Sequence, residues 1–125
     1  MLIVTKTKFE AQKLCMDRLE FLADGKIAFT YITNEECEKI GVEPGDRDGI
    51  VEIGRNIEGV EVSIFLYEKE KGFKASLRSN DYVNVSEVCL MFGGGGHIKA
   101  AGANINLPLE EAKKAIVAET MKFLK

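Results

Sequence analysis

Cysteine, histidine and net charge are all scarce in this chain, and each shortage removes a class of function. Only three cysteines and one histidine occur in 125 residues. Cys15, Cys37 and Cys89 form no Cys-x-x-Cys pair, and His97 belongs to no His-Glu-x-x-His run, so zinc-ribbon and zinc-peptidase chemistry is not supported. The odd cysteine count, with Cys89 inside an apolar run, reads as reduced structural thiols with a reactive cysteine as the lesser alternative. No apolar run approaches the ~18 residues that would suggest a bilayer span, and no basic leader with a cleavage site opens the chain. A cytoplasmic protein without membrane contact is expected. Net charge is −3, with both signs interspersed, which argues against a uniformly basic surface for long duplex DNA. A short ligand in one local basic pocket remains compatible. In Asp46-Arg47-Asp48 the carboxylates stand without a partner cluster, so a helix cap beside a surface acid explains them better than a divalent-ion site.

What is present alternates between helical and strand periods. Residues 6–24 place Ala11, Leu14, Cys15, Leu19 and Leu22 at helical spacing, with Gly25 as the stop. If this apolar face packs on its own sheet the domain is self-contained; if it is exposed, a partner domain or a homodimer is implied. Residues 26–33 carry the aromatic and β-branched content of a doubly buried strand. Asn34 can cap a short helix to Ile40, Pro44-Gly45 marks a turn, and Asp46 can cap a second helix to about Arg55. Residues 60–68 and 72–79 alternate as two strands of a hairpin. Asn84 or Ser86 can cap a helix running to the glycines, 103–107 fits a short strand, and Pro108 opens a closing amphipathic helix. The expected fold is a single α/β (α+β) domain over residues 1–125, with a central mixed sheet of about four to five strands flanked by helices.

The stretch from Gly93 to Gly102 is the most informative. Four successive glycines precede His97, the only histidine, and such a run can present backbone amides to an anion. Apolar residues on both sides weaken the reading as a flexible linker. No Lys-Ser/Thr follows, and the third glycine of a dinucleotide fingerprint would fall at Ile98, so neither an NTPase nor a dehydrogenase is supported. Upstream, alternation in 72–79 puts Lys74, Ser76 and Arg78 on one face, which on spacing alone is an ordinary solvated sheet face. Arg78-Ser79 at the strand end adds a planar fork and a short donor suited to phosphate. Lys99 reads as a surface lysine.

Lys74-Ala-Ser76-Leu-Arg78-Ser79, then Val83-Asn84-Val85, then Phe92-Gly-Gly-Gly-Gly-His97-Ile-Lys-Ala-Ala-Gly102 closely resemble the DHHA1 domain of DHH-family phosphoesterases. The nearest subgroup is the type that degrades very short oligoribonucleotides and dephosphorylates 3′-phosphoadenosine 5′-phosphate. The resemblance runs from the linker helix at 6–24 to the closing helix, and implies a substrate-binding half whose catalytic N-terminal DHH domain, with its two manganese ions, lies outside this chain. By that analogy Arg78 and Ser79 hold a phosphate, the amides of Gly94, Gly95 and Gly96 cradle it or its neighbour, His97 contacts the terminal nucleotide, and Asn84 lies near the pocket. No catalytic residue, metal ligand or cofactor is expected in this chain; the implied partners are short single-stranded RNA or a nucleotide phosphate, and the DHH domain. Two rivals stay open: a family member with another substrate (a cyclic dinucleotide, single-stranded DNA, pyrophosphate or polyphosphate), and a non-catalytic nucleotide-binding or interaction module. The acidic balance disfavours long DNA.

Overall fold

The computed structural model describes residues 3–125. Helix α1 (Lys6–Asp17) starts where the Thr5 hydroxyl accepts from the Lys8 amide. It ends seven residues earlier than the helical spacing predicts, at the Arg18 cap, and Ala23, Asp24 and Gly25 then take positive φ and reverse the chain. The intervening β1 (Glu20–Leu22) therefore pairs antiparallel with β2 (Ile27–Ile32). Ala11 and Cys15 of α1 are buried, so the helix packs on its own sheet.

A crossover then joins β2 to its parallel neighbour β3 (Val62–Lys69). Parallel strands need a connection of a dozen residues or more, usually helical, and here it contains α2 (Asn34–Ile40), a 3₁₀ turn (Pro44–Arg47) and α3 (Ile50–Arg55). Thr33, one residue before the expected cap, closes a reciprocal capping box with Glu36. Asp46 does not cap α3. Its carboxylate accepts from Thr7 at 2.7 Å, Thr5 at 3.2 Å and the Glu43 amide at 2.9 Å, bonds led by that of Thr7 that hold it below the usual carboxylate range. The helix begins instead after Gly49, at φ 87°.

Strand β3 turns tightly into β4 (Gly72–Ser79), which pairs with β6 (Ala100–Ile105), and the short β5 (Gly95–His97) closes the edge. The sheet thus has six strands in the order β1-β2-β3-β4-β6-β5, all neighbours antiparallel except β2 and β3. Strand β6 begins three residues earlier than the sequence suggests, and β5 was not expected as a strand. Helices α4 (Val85–Leu90) and α5 (Leu109–Met121) complete the chain.

The two faces of the sheet are covered unequally. On one, Val88, Ala112 and Ile116 from α4 and α5 pack on Ile64, Leu66, Ala75, Leu77 and Ala103, all buried. Burial of each such Leu or Ile contributes about 1.5–3 kcal/mol. On the other, α1 and α3 bring Ala11, Cys15, Ile50 and Val51 against Ile32 and Phe65. Those helices cover β2 and β3, but the same face of β4, β6 and β5 keeps Lys74, Ser76, Arg78, Gly102 and His97 partly or fully exposed. Burial pushes the Cys15 thiol up to about 12 and that of Cys89 to about 11. Both are uncharged core groups at neutral pH.

Candidate functional site

Strand register assembles the site. Arg78 pairs with Ala100, and Ala100 with His97, so the three residues form one row across β4, β6 and β5 with side chains on the same face. Two strand spacings separate the Cα atoms of Arg78 and His97, about 10 Å. The next row is Ser76, Gly102 and Gly95. Glycine at two of three positions keeps the floor between the arginine and the histidine low, and the Lys74 side chain lies across it, its Nζ 3.3 Å from where a Gly102 Cβ would stand.

Arg78 is held in place by neighbours. Its Nε donates to Glu52 Oε1 at 3.0 Å and one terminal nitrogen donates to the Leu77 carbonyl at 2.9 Å. Glu52 also accepts from Arg55 at 3.2 Å. The arginine side chain is 28% exposed, so its remaining donors can reach a ligand. Glu52 belongs to the crossover helix and carries no local motif, which is why sequence reading missed it.

Ser79 does not accompany Arg78. A two-residue period turns its side chain to the opposite face, where it is fully buried and its hydroxyl donates to the Val83 carbonyl at 2.7 Å. Its amide donates to the Lys99 carbonyl at 3.1 Å. The expectation that the Ser79 side chain supplies a phosphate donor is thereby corrected: the residue pins the Ile98-Lys99 hairpin tip to the end of β4. The Val85 amide grips the same tip through Ile98 O at 2.8 Å. Asn84 has a capping role, its Oδ1 accepting from the Glu87 amide at 3.2 Å.

The glycine run also divides. Gly93 takes φ 78° and its amide donates to Leu90 O, while the Gly94 amide donates to Cys89 O, both at 3.0 Å. These two bonds end α4 in the manner of a Schellman cap, so the Gly94 amide is spent there rather than offered to an anion. A Cβ on Gly94 would lie 2.2 Å from Gly102 O, and this close approach seats the run against β6. Gly95 and Gly96 form the edge strand that carries His97, which is exposed. The structure thus brings Arg78, His97 and Gly95 to one open face with Lys74 and Ser76, and sets Ser79, Asn84 and Gly94 in supporting positions. Lys99 is exposed at the hairpin tip.

Behind the row, a carboxylate missed in the sequence organises the loop after β4. Glu61 is 6% exposed and accepts from the amides of Asp81, Tyr82 and Val83 at 2.8–3.2 Å. Asn80 joins it by donating to Arg55 O and Val60 O. Among the described residues no three His, Cys, Asp or Glu side chains converge as a metal donor set. None of their helices is long and apolar enough to cross a membrane.

These features define a small α/β domain in which the β4, β6 and β5 end of one sheet face is left open and bears cationic side chains. The DHHA1 domain model matches residues 24–125, and the chain belongs to that family. It is 41% identical over 87 residues to the bifunctional oligoribonuclease and PAP phosphatase NrnA of Thermus thermophilus, a match covering 69% of this chain and 26% of that protein. The NrnA of Mycoplasma pneumoniae is 46% identical over 85 residues, covering 66% of this chain and 22% of that protein. The chain therefore spans about a quarter of the curated relatives it matches. Among solved structures, an exopolyphosphatase-related protein from Bacteroides fragilis superimposes with a TM-score of 0.90 at 28% identity, over 97% of this chain and 36% of that one.

Proposed function

We propose that this chain is the substrate-binding part of a DHH-family phosphoesterase acting on short oligoribonucleotides or a nucleoside 3′,5′-bisphosphate. The observation that carries the reading is the row Arg78, Ala100, His97 on the uncovered sheet face. Arginine offers a charge-assisted fork to a phosphate, and a histidine about 10 Å away can donate to a second oxygen or stack on a base. Relatives named for oligoribonuclease and PAP phosphatase activity support the same substrate class.

The work assigned to this chain is binding and positioning. Hydrolysis falls to a DHH domain that would hold the manganese pair and activate water. Holding the far part of the substrate while another domain cuts lowers the barrier by pre-paid orientation. The free thiols of Cys15, Cys37 and Cys89 fit a cytoplasmic setting.

Calorimetric titration with a diribonucleotide and with adenosine 3′,5′-bisphosphate tests the site. Arg78→Ala and His97→Ala are each expected to lose about ten-fold or more in affinity, the scale of a hydrogen bond to a charged group. Unchanged affinity in both variants overturns the assignment.

A further inference from the structure

Beyond Arg78, on the side away from His97, lies a cavity of about 330 Å³ between the crossover segment and the sheet. Arg47, Asp48, Tyr67, Ser76 and Arg78 are among its lining residues. Arg78 is thus a shared wall, with the His97 platform on one flank and this cavity on the other.

Arg47 has the features of an anion ligand. Its guanidinium lies 4.2 Å from the centroid of the Tyr67 ring and also reaches the Cys37 sulfur, an arrangement that fixes the plane of the fork while leaving its other N–H groups for a ligand. Among the described residues it forms no ion pair with a carboxylate, unlike Arg18, Arg55 and Arg78. The Ser76 hydroxyl and the Arg78 Nη2 likewise make no hydrogen bond among the described residues. Among the lining residues Arg47 and Arg78 outnumber the single carboxylate, Asp48, and Glu52, which pairs with Arg78, is shared with Arg55, so the lining favours an anion although the chain carries −3 overall. Two arginines and a hydroxyl facing one small space match a tetrahedral phosphate.

We infer that Arg47, Ser76 and the free edge of Arg78 form a second phosphate subsite, which accepts the next phosphate of a substrate whose terminal nucleotide occupies the His97 flank. This rests on the nucleotide-binding reading above. It also gives that reading a length rule, since the segment carrying Pro44, Arg47 and Gly49 walls the far end of the cavity. A ligand with two separated phosphates engages both flanks; a mononucleotide engages one.

The test compares 5′-phosphorylated diadenylate, adenosine 5′-monophosphate and inorganic pyrophosphate as calorimetric probes of the full chain. Arg47→Met is expected to weaken the diadenylate by about ten-fold and to leave the monophosphate within two-fold, while Arg47→Lys, which keeps the charge, falls between. No change for the diadenylate in Arg47→Met overturns the subsite, and losses in Arg78→Ala and His97→Ala would then leave the parent reading standing. Equal loss for both nucleotides overturns it as well, marking Arg47 as a packing residue. If no nucleotide binds the wild type but pyrophosphate binds and depends on Arg47, the nucleotide reading fails and the anion subsite survives. If pyrophosphate also fails to bind, both fall.

Discussion

At the residue scale, single atoms decide which side chains are free to meet a ligand. Arg78 and Ser79 are adjacent in the chain, yet one faces the open side and the other is fully buried. The alternation that groups Lys74, Ser76 and Arg78 already places Ser79 opposite them, so its burial is legible in the residues, and reading it as a donor beside Arg78 rests on adjacency in the chain rather than on the strand period. Glu52 as the partner of Arg78, and Arg47 as its neighbour around one cavity, were not legible, because the crossover brings them there from positions 26 and 31 residues upstream. Glu61 carries a prediction at this scale. Its buried carboxylate takes the amides of residues 81–83, so Glu61→Ala leaves several donors unpaired. Chemical denaturation is expected to find the variant less stable by about 3 kcal/mol, since each buried unsatisfied group costs roughly 1–3 kcal/mol. A loss under about 0.5 kcal/mol, the usual surface value, would mean the loop does not depend on this carboxylate.

At the element scale, the long strands and most helices followed from periodicity, whereas the two short edge strands did not. Strand β1 carries Leu22 three positions after Leu19, a spacing that continues the helical phase of α1; only pairing with β2 makes it a strand. Strand β5 consists of Gly95, Gly96 and His97, residues with little strand propensity, and exists because β6 offers it a ladder. The glycine run consequently does two mechanical jobs that substitutions can separate. Gly93→Ala meets no atom within 4 Å but forces alanine to φ 78°, a cost of about 1–2 kcal/mol. Gly94→Ala drives a methyl against Gly102 O and Ala103 and is expected to cost more, about 2–3 kcal/mol, because β5 must shift off β6. Thermal melts of the two variants check the order. A Gly94→Ala protein as stable as Gly93→Ala would mean that the run yields without strain.

At the scale of the whole molecule, a net charge of −3 surrounds a small cationic site, and that contrast predicts how binding responds to salt and length. If Arg47 and Arg78 neutralise two phosphates, few counterions are released, and log affinity is expected to fall against log salt with a slope of about −1.4 for a single strand. An extended track would give a slope several times steeper. Affinity should also stop rising once a strand fills both flanks of Arg78. Fluorescence anisotropy with strands of two, five and ten nucleotides across a salt series checks both expectations, and affinity that climbs steadily with length would indicate a track.

Strand β4 sends Phe73, Ala75, Leu77 and Ser79 into the core and Lys74, Ser76 and Arg78 to the open side. The open surface and the packing that keeps the domain folded are thus written on alternate letters of the same eight-residue word. Substitutions at Lys74, Ser76 and Arg78 leave the buried alternate positions untouched, whereas Gly72, at φ 126° with Ile105 O in the way of any Cβ, must stay glycine.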